Sequence, residues 1–133
     1  MRIIPDEVWA ALTIWQEARN QPYEGLLAVA EVIQNRMRRK FNSDGTVIGT
    51  VLRGWQFSGW NTGDVNRLWS ARLDDTEVQY ILALKAWRDI LTGSSVVPDA
   101  VFYYNPAGVT HTPDWAVPAN FIVQIGAHHF YKG

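Results

Sequence analysis

Apolar residues recur at helical spacing in three long stretches of this chain, and β-branched and aromatic runs replace them in its last third. The first stretch opens at Pro5, a residue suited to a helix's first turn, with Asp6 and Glu7 placed to favour the N-terminal dipole. Val8, Leu12 and Trp15 form its stripe, with Ala11 and Ala18 alongside, and the pattern predicts a helix to about Arg19, before Asn20-Gln21-Pro22. A second helix is expected from about Pro22 to Lys40 on the stripe Leu26, Val29, Ala30, Ile33 and Met37. Its end, Arg36 to Lys40, reads as a cationic, solvated terminus.

Asn42-Ser43-Asp44-Gly45 is a turn, and Val47 to Arg53 a short helical piece. Residues 54–61, Gly-Trp-Gln-Phe-Ser-Gly-Trp-Asn, mix aromatic with small and polar residues and show no stripe, as an open loop lined with aromatics would; residues 61–73 read as irregular. Asp74 to Glu77 predict a cap for a third long helix, which carries Tyr80, Leu84, Trp87 and Leu91 as core and stops at Gly93. Ala100 to Asn105 reads as a strand broken by Pro106, and residues 120–131 offer one or two more. The pattern predicts an α+β fold, mainly α, with a small antiparallel hairpin or sheet in the C-terminal third closing over a helical body. With no repeat or low-complexity linker, residues 1–133 are expected to form a single domain.

Composition narrows the chemistry. The 133 residues are 47% hydrophobic, enough for a true core. A balance of 12 Lys plus Arg against 13 Asp plus Glu gives no basic surplus for nucleic-acid binding. The absence of cysteine removes thiolate catalysis and cysteine-based zinc sites. No stretch approaches the roughly 18 apolar residues of a membrane span, and Met1 to Glu7 lacks the apolar core of an export signal. The 7 Trp, 5 Tyr and 5 Phe are numerous, and aromatic faces suit the C–H faces of sugar rings, although aromatics also fill cores.

Glu17 is the main candidate for chemistry. It lies off the apolar stripe near Thr13 and Ile14, on the shoulder of the buried face. Burial disfavours the charged form of a carboxyl, and a carboxyl protonated near neutral pH can donate to a glycosidic leaving oxygen. Most glutamates in such helices simply face solvent. A two-carboxylate glycosidase needs a second acid at about 5 Å or about 6.5–9.5 Å, for which Glu24, Glu31, Asp64 and Asp114 are the candidates, none compelling. A metal-dependent amidase would draw on His111, Asp114, His128 and His129, but the adjacent histidines of a strand point to opposite faces. A non-catalytic glycan-binding or virion module is a third class.

Several blocks together resemble the SleB-type cell wall hydrolases, a family that includes spore-cortex-lytic enzymes and related phage lysins. They are Glu17-Ala18-Arg19, Pro22-Tyr23-Glu24-Gly25, Ala28-Val29-Ala30, Asn35-Arg36, Gln56-Phe57-Ser58-Gly59-Trp60, Phe102-Tyr103-Tyr104-Asn105-Pro106 and Gly126-Ala127-His128-His129-Phe130-Tyr131, in the family's order. Two positions depart from its pattern: Asn20 stands where the family usually has Gly, and Gly59 where it often has Cys.

The resemblance implies a lysozyme-like domain that cleaves peptidoglycan between N-acetylmuramic acid and N-acetylglucosamine, with Glu17 as its acid/base and no cofactor or metal. It favours lytic transglycosylation, in which the muramyl 6-hydroxyl closes on the anomeric carbon; muramidase hydrolysis, with water in that role, is the alternative. Gln56 and Ser58 are candidates for hydrogen bonds to acetamido groups, and Phe57 and Trp60 for ring stacking. Tyr103, Tyr104 and Asn105 are expected as the opposite wall, with Trp115 as a further platform. The expected partner is the peptidoglycan glycan strand, bound by a monomer without membrane insertion. A cytoplasmic lysin released to act on the wall, or a virion-associated one, is the expected setting.

Overall fold

A computed structural model describes residues 4–53 and 77–133. Its described elements are α1 (Asp6–Ala18), α2 (Tyr23–Arg39), α3 (Val47–Val51) and α4 (Val78–Leu91), then β1 (Ala100–Tyr104), β2 (Phe121–Ile125) and β3 (His128–Lys132). The expected mainly helical architecture with a small antiparallel sheet in the C-terminal third is the one observed. No described helix is long and apolar enough to cross a membrane.

Local signals set the helix ends. Pro5 precedes α1 and Pro22 precedes α2, both with extended backbone that a proline already favours. After α1 the chain turns at Asn20, whose φ of 67° lies in the left-handed region. That conformation is easiest for Gly and tolerable for Asn, which accounts for the departure from the family's usual glycine. Lys40 takes the left-handed conformation after α2, and Gly93, φ 115°, follows α4. The cap expected over Asp74 to Glu77 falls on its last residue, where the Glu77 carboxylate accepts the Tyr80 N–H at 3.0 Å; residues 74–76 lie outside the described residues.

Two predicted stripes are rotated. In α1 the buried residues include Ala10, Ala11, Thr13, Ile14, Trp15 and Ala18, whereas Val8 and Leu12 are only half-buried. In α4, Ala83, Ala86 and Ile90 join Tyr80 and Trp87 in the core, Leu84 is half-buried and Leu91 is exposed. Small alanines on the buried faces give the periodicity little weight there, so larger residues beside them draw the predicted stripe aside.

Helix α2 is the central element and packs on α1, α3, α4, β1 and β2. It is therefore buried on most sides, from Gly25 to Arg36. The sheet order is β1-β3-β2, both pairs antiparallel, with β2 and β3 joined through Gly126 and Ala127. Its inner face carries His128 and Phe130, buried beside Tyr103.

The hairpin turn is fastened to the α1–α2 connection. The Ala127 N–H donates to Gln21 Oε1 at 3.0 Å, and Gly126 sits at φ 57°. A Cβ at Gly126 would collide with Gln21 Oε1 and press on Pro22. Gly126→Ala is expected to lower the unfolding free energy by about 1–2 kcal/mol from backbone conformation alone. Urea denaturation would read this loss; an unchanged midpoint would contradict it.

Candidate active site

Glu17 occupies the last turn of α1, half-buried, one turn beyond the fully buried Thr13 and Ile14. This is the shoulder position that the helical spacing predicts. Opposite it, the Tyr103 hydroxyl of β1 donates to Glu17 Oε1 at 3.0 Å. Burial, then the charge of Glu17, pushes the Tyr103 phenol well above its usual pKa. The phenol therefore stays protonated and serves as a fixed donor to the carboxylate.

Tyr103 is held in turn by its surroundings. Its ring packs against His128 at 5.1 Å between centroids and against Phe130 at 5.5 Å. His128 is nine-tenths buried, and burial pulls its imidazole pKa down, so it sits against Tyr103 as a neutral ring. The backbone leading into β1 is anchored by α2. Asn35 Nδ2 donates to the carbonyls of Val97 and Ala100 at 3.2 and 2.8 Å, and Arg36 Nε donates to the carbonyl of Val101 at 2.7 Å.

Arg36 corrects the sequence reading. Arg38, Arg39 and Lys40 form the expected exposed cationic end, but Arg36 is 3% exposed. Burial lowers the pKa of its guanidinium, and Tyr103, then Glu17, act in the opposite direction. A positive charge is thus buried close to the candidate acid. The Asn35-Arg36 block flagged this position, while the run of basic residues disguised it as a solvated terminus.

Among the alternative carboxylates, Glu31 is buried but fully engaged. It accepts from the Val96 and Val97 N–H groups at 2.7 and 2.6 Å and from the Ser95 hydroxyl. That role is structural. Glu24 is exposed in the first turn of α2, Asp114 is exposed in its loop, and Asp64 lies outside the described residues. No group of three or more His, Cys, Asp or Glu among the described residues could hold a metal ion.

The expected substrate wall divides. Strand alternation sends Tyr103 to the inner face and Tyr104 to the outer one, where its ring lies 5.5 Å from Trp115 and 6.2 Å from His129. Trp115 stacks on Phe102 at 4.5 Å and 4° and meets Tyr131 edge-on at 5.4 Å. Tyr104 and Trp115 therefore belong to an aromatic cluster on the face away from Tyr103. The Asn105 side chain accepts the Ala107 N–H at 3.0 Å and caps the single turn Pro106–Gly108. Of these four wall candidates, Tyr103 alone is brought to Glu17 by a hydrogen bond. Gln56, Phe57, Ser58 and Trp60 lie outside the described residues.

The chain is similar to known proteins over most of its length. Residues 20–131 match the model of the cell wall hydrolase family. The chain is 34% identical over 122 residues to a spore cortex-lytic enzyme of Oceanobacillus iheyensis, covering 92% of this chain and 40% of that protein. It is 28% identical over 120 residues to the spore cortex-lytic enzyme of Bacillus subtilis, covering 90% of this chain and 35% of that protein. The chain thus spans about two fifths of the length of these curated relatives, or less.

Two solved structures match almost throughout. The catalytic domain of the germination-specific lytic transglycosylase SleB from Bacillus anthracis superposes with a TM-score of 0.74 at 29% identity, covering 96% of this chain and 93% of that one. The catalytic domain of the Bacillus cereus SleB protein gives a TM-score of 0.74 at 31% identity, covering 96% and 89%.

Glu31→Ala would leave two buried N–H groups and a hydroxyl without their acceptor. It is expected to lower stability by roughly 1–3 kcal/mol, measured by chemical denaturation; a loss below a few tenths would contradict the anchoring role.

Proposed function

The chain belongs to the cell wall hydrolase family, and on that footing we propose that it cleaves peptidoglycan glycan strands between N-acetylmuramic acid and N-acetylglucosamine as a lytic transglycosylase. Glu17 is the acid/base. The observation that carries this reading is the half-buried Glu17 carboxyl, hydrogen-bonded by a phenol that cannot readily ionise. The similarity to lytic transglycosylase SleB adds to it.

The chemistry follows from one carboxyl used twice. Protonated Glu17 gives its proton to the glycosidic oxygen as the bond to the anomeric carbon breaks. Positive charge that develops at that carbon is relieved by the substrate's own acetamido group. Glu17, now ionised and held by the Tyr103 hydroxyl, accepts the proton of the muramyl 6-hydroxyl as that oxygen closes on the anomeric carbon. The products are a free N-acetylglucosamine 4-hydroxyl and a 1,6-anhydro-muramyl end, with no water consumed.

No second acid is required by this sequence. That fits the commitment of Glu31 to the 95–97 backbone and the exposure of Glu24 and Asp114. Tyr103 keeps the carboxylate oriented between its two proton transfers, which a solvent-exposed glutamate would not achieve.

A pair of variants tests the assignment on purified peptidoglycan. Glu17→Gln is expected to reduce the release of soluble muropeptides by at least about 100-fold, the usual weight of a general acid. Glu31→Gln keeps the size of the side chain and one acceptor oxygen for the Val96 and Val97 N–H groups, and is expected to stay within a few-fold of the unaltered chain. The reverse ranking would overturn the assignment.

A further inference from the structure

The proposed reaction gives no part to one buried titratable group, His128 at the start of β3. It is 9% exposed and pairs across the sheet with the buried Ile125 of β2. Its ring meets the Tyr103 ring edge-on, 5.1 Å between centroids at 64°, and the Phe130 ring at 6.2 Å and 87°. Tyr103 is thereby braced by His128 and Phe130 while its hydroxyl reaches Glu17 Oε1. The brace is itself fixed, because the N–H of the preceding Ala127 is fastened to Gln21.

A phenylalanine would fill such a place with no polar atom to bury, whereas a histidine brings a site for a proton. Among the described residues nothing bonds the buried Nδ1. The neutral tautomer with its proton on Nε2 leaves only a lone pair there, but an imidazolium carries N–H on both nitrogens and would strand a charged donor. An aromatic face gives a cation some attraction. Lost hydration outweighs it at nine-tenths burial, and the imidazole pKa is lowered accordingly.

The neighbouring elements, among the described residues, offer no acceptor for that charge. From β1 Tyr103 faces His128 and stays neutral, and β2 carries no titratable residue. On β3 itself His129 meets Tyr104 and Phe121 on the outer face, where Tyr131 also packs, and Lys132 is exposed. On α2 Glu31 is turned to the 95–97 backbone and Arg36 to the Val101 carbonyl, while Glu17 of α1 stands beyond Tyr103 at its hydroxyl.

We propose that His128 is a positioning residue that works only as a neutral ring: uncharged, it braces Tyr103 against Glu17, and on protonation it withdraws that support, so the site carries its own low-pH cut-off. The inference rests on Glu17 as the acid/base. The reaction begins with protonated Glu17, so Glu17 itself lowers the rate only as pH rises. A loss on acidification reports another group. The folded-state pKa of His128 lies below the unfolded value of about 6.5. Its contribution to stability is therefore complete above that value and is lost as pH falls through the folded pKa.

The test is the pH profile of muropeptide release at limiting substrate. In the unaltered chain release is expected to fall on acidification below pH 6.5, approaching about tenfold per pH unit. His128→Phe keeps a ring against Tyr103 but cannot take a proton. Its profile, scaled to its own maximum, is expected to lack this limb. A residue that only fills space would leave the limb in place, and that result in folded His128→Phe would overturn the inference.

A second measurement needs no substitution. In the unaltered chain the 15N shifts of the His128 imidazole should titrate below about 6.5, and the Tyr103 ring carbons should shift at the same midpoint. A Tyr103 signal indifferent to the His128 titration would contradict the proposal. If Glu17→Gln stays active, the acid/base assignment itself fails; the coupled titration needs no catalysis, so the two failures are told apart.

Discussion

One face of a buried helix decides where everything else goes. Glu31, Asn35, Arg36 and Arg39 recur at a spacing that places them together along α2, and all four reach the segment 95–101. Glu31 receives its N–H groups, while Asn35, Arg36 and Arg39 satisfy its carbonyls. Each such bond contributes only about 1 kcal/mol net, but leaving a buried partner unmade costs more. The segment consequently has one low-energy path into β1. From there strand alternation dictates that Tyr103 faces Glu17 and Tyr104 faces away.

The other side of the site is set by how α1 stops. Asn20 turns the chain in the left-handed region, and Gln21 then takes the N–H of Ala127 in the β2–β3 turn. Helix end and hairpin are thereby joined just beyond Glu17. The carboxyl is left between a helical shoulder and the inner face of the sheet, partly shielded yet half-exposed, with a phenol as its neighbour. An acid that must also serve as a base is helped by such a place. Packing limits the water around it, and the hydrogen bond fixes its direction.

The helices, their approximate ends and the mainly helical class were legible because prolines, glycines and apolar runs act locally. The shoulder position of Glu17 followed from spacing alone. Less legible was which face each helix buries, because α1 and α4 are apolar on several sides and their buried faces include small alanines. Arg36 and Glu31 were obscured for a further reason. A polar side chain that satisfies a distant backbone looks, in sequence, like one that satisfies water. Neighbouring tyrosines read as one wall until the strand separates them. The candidates Gln56, Phe57, Ser58 and Trp60 lie outside the described residues, so the part of the site they would form rests on the sequence.

The central claim is that Glu17 works as acid and then base with no second carboxylate and no water. Mass spectrometry of peptidoglycan digested by the protein tests it most directly. The account predicts 1,6-anhydro-N-acetylmuramic acid at the newly formed ends. Reducing N-acetylmuramic acid ends, or stem peptides released from intact glycan, would contradict it.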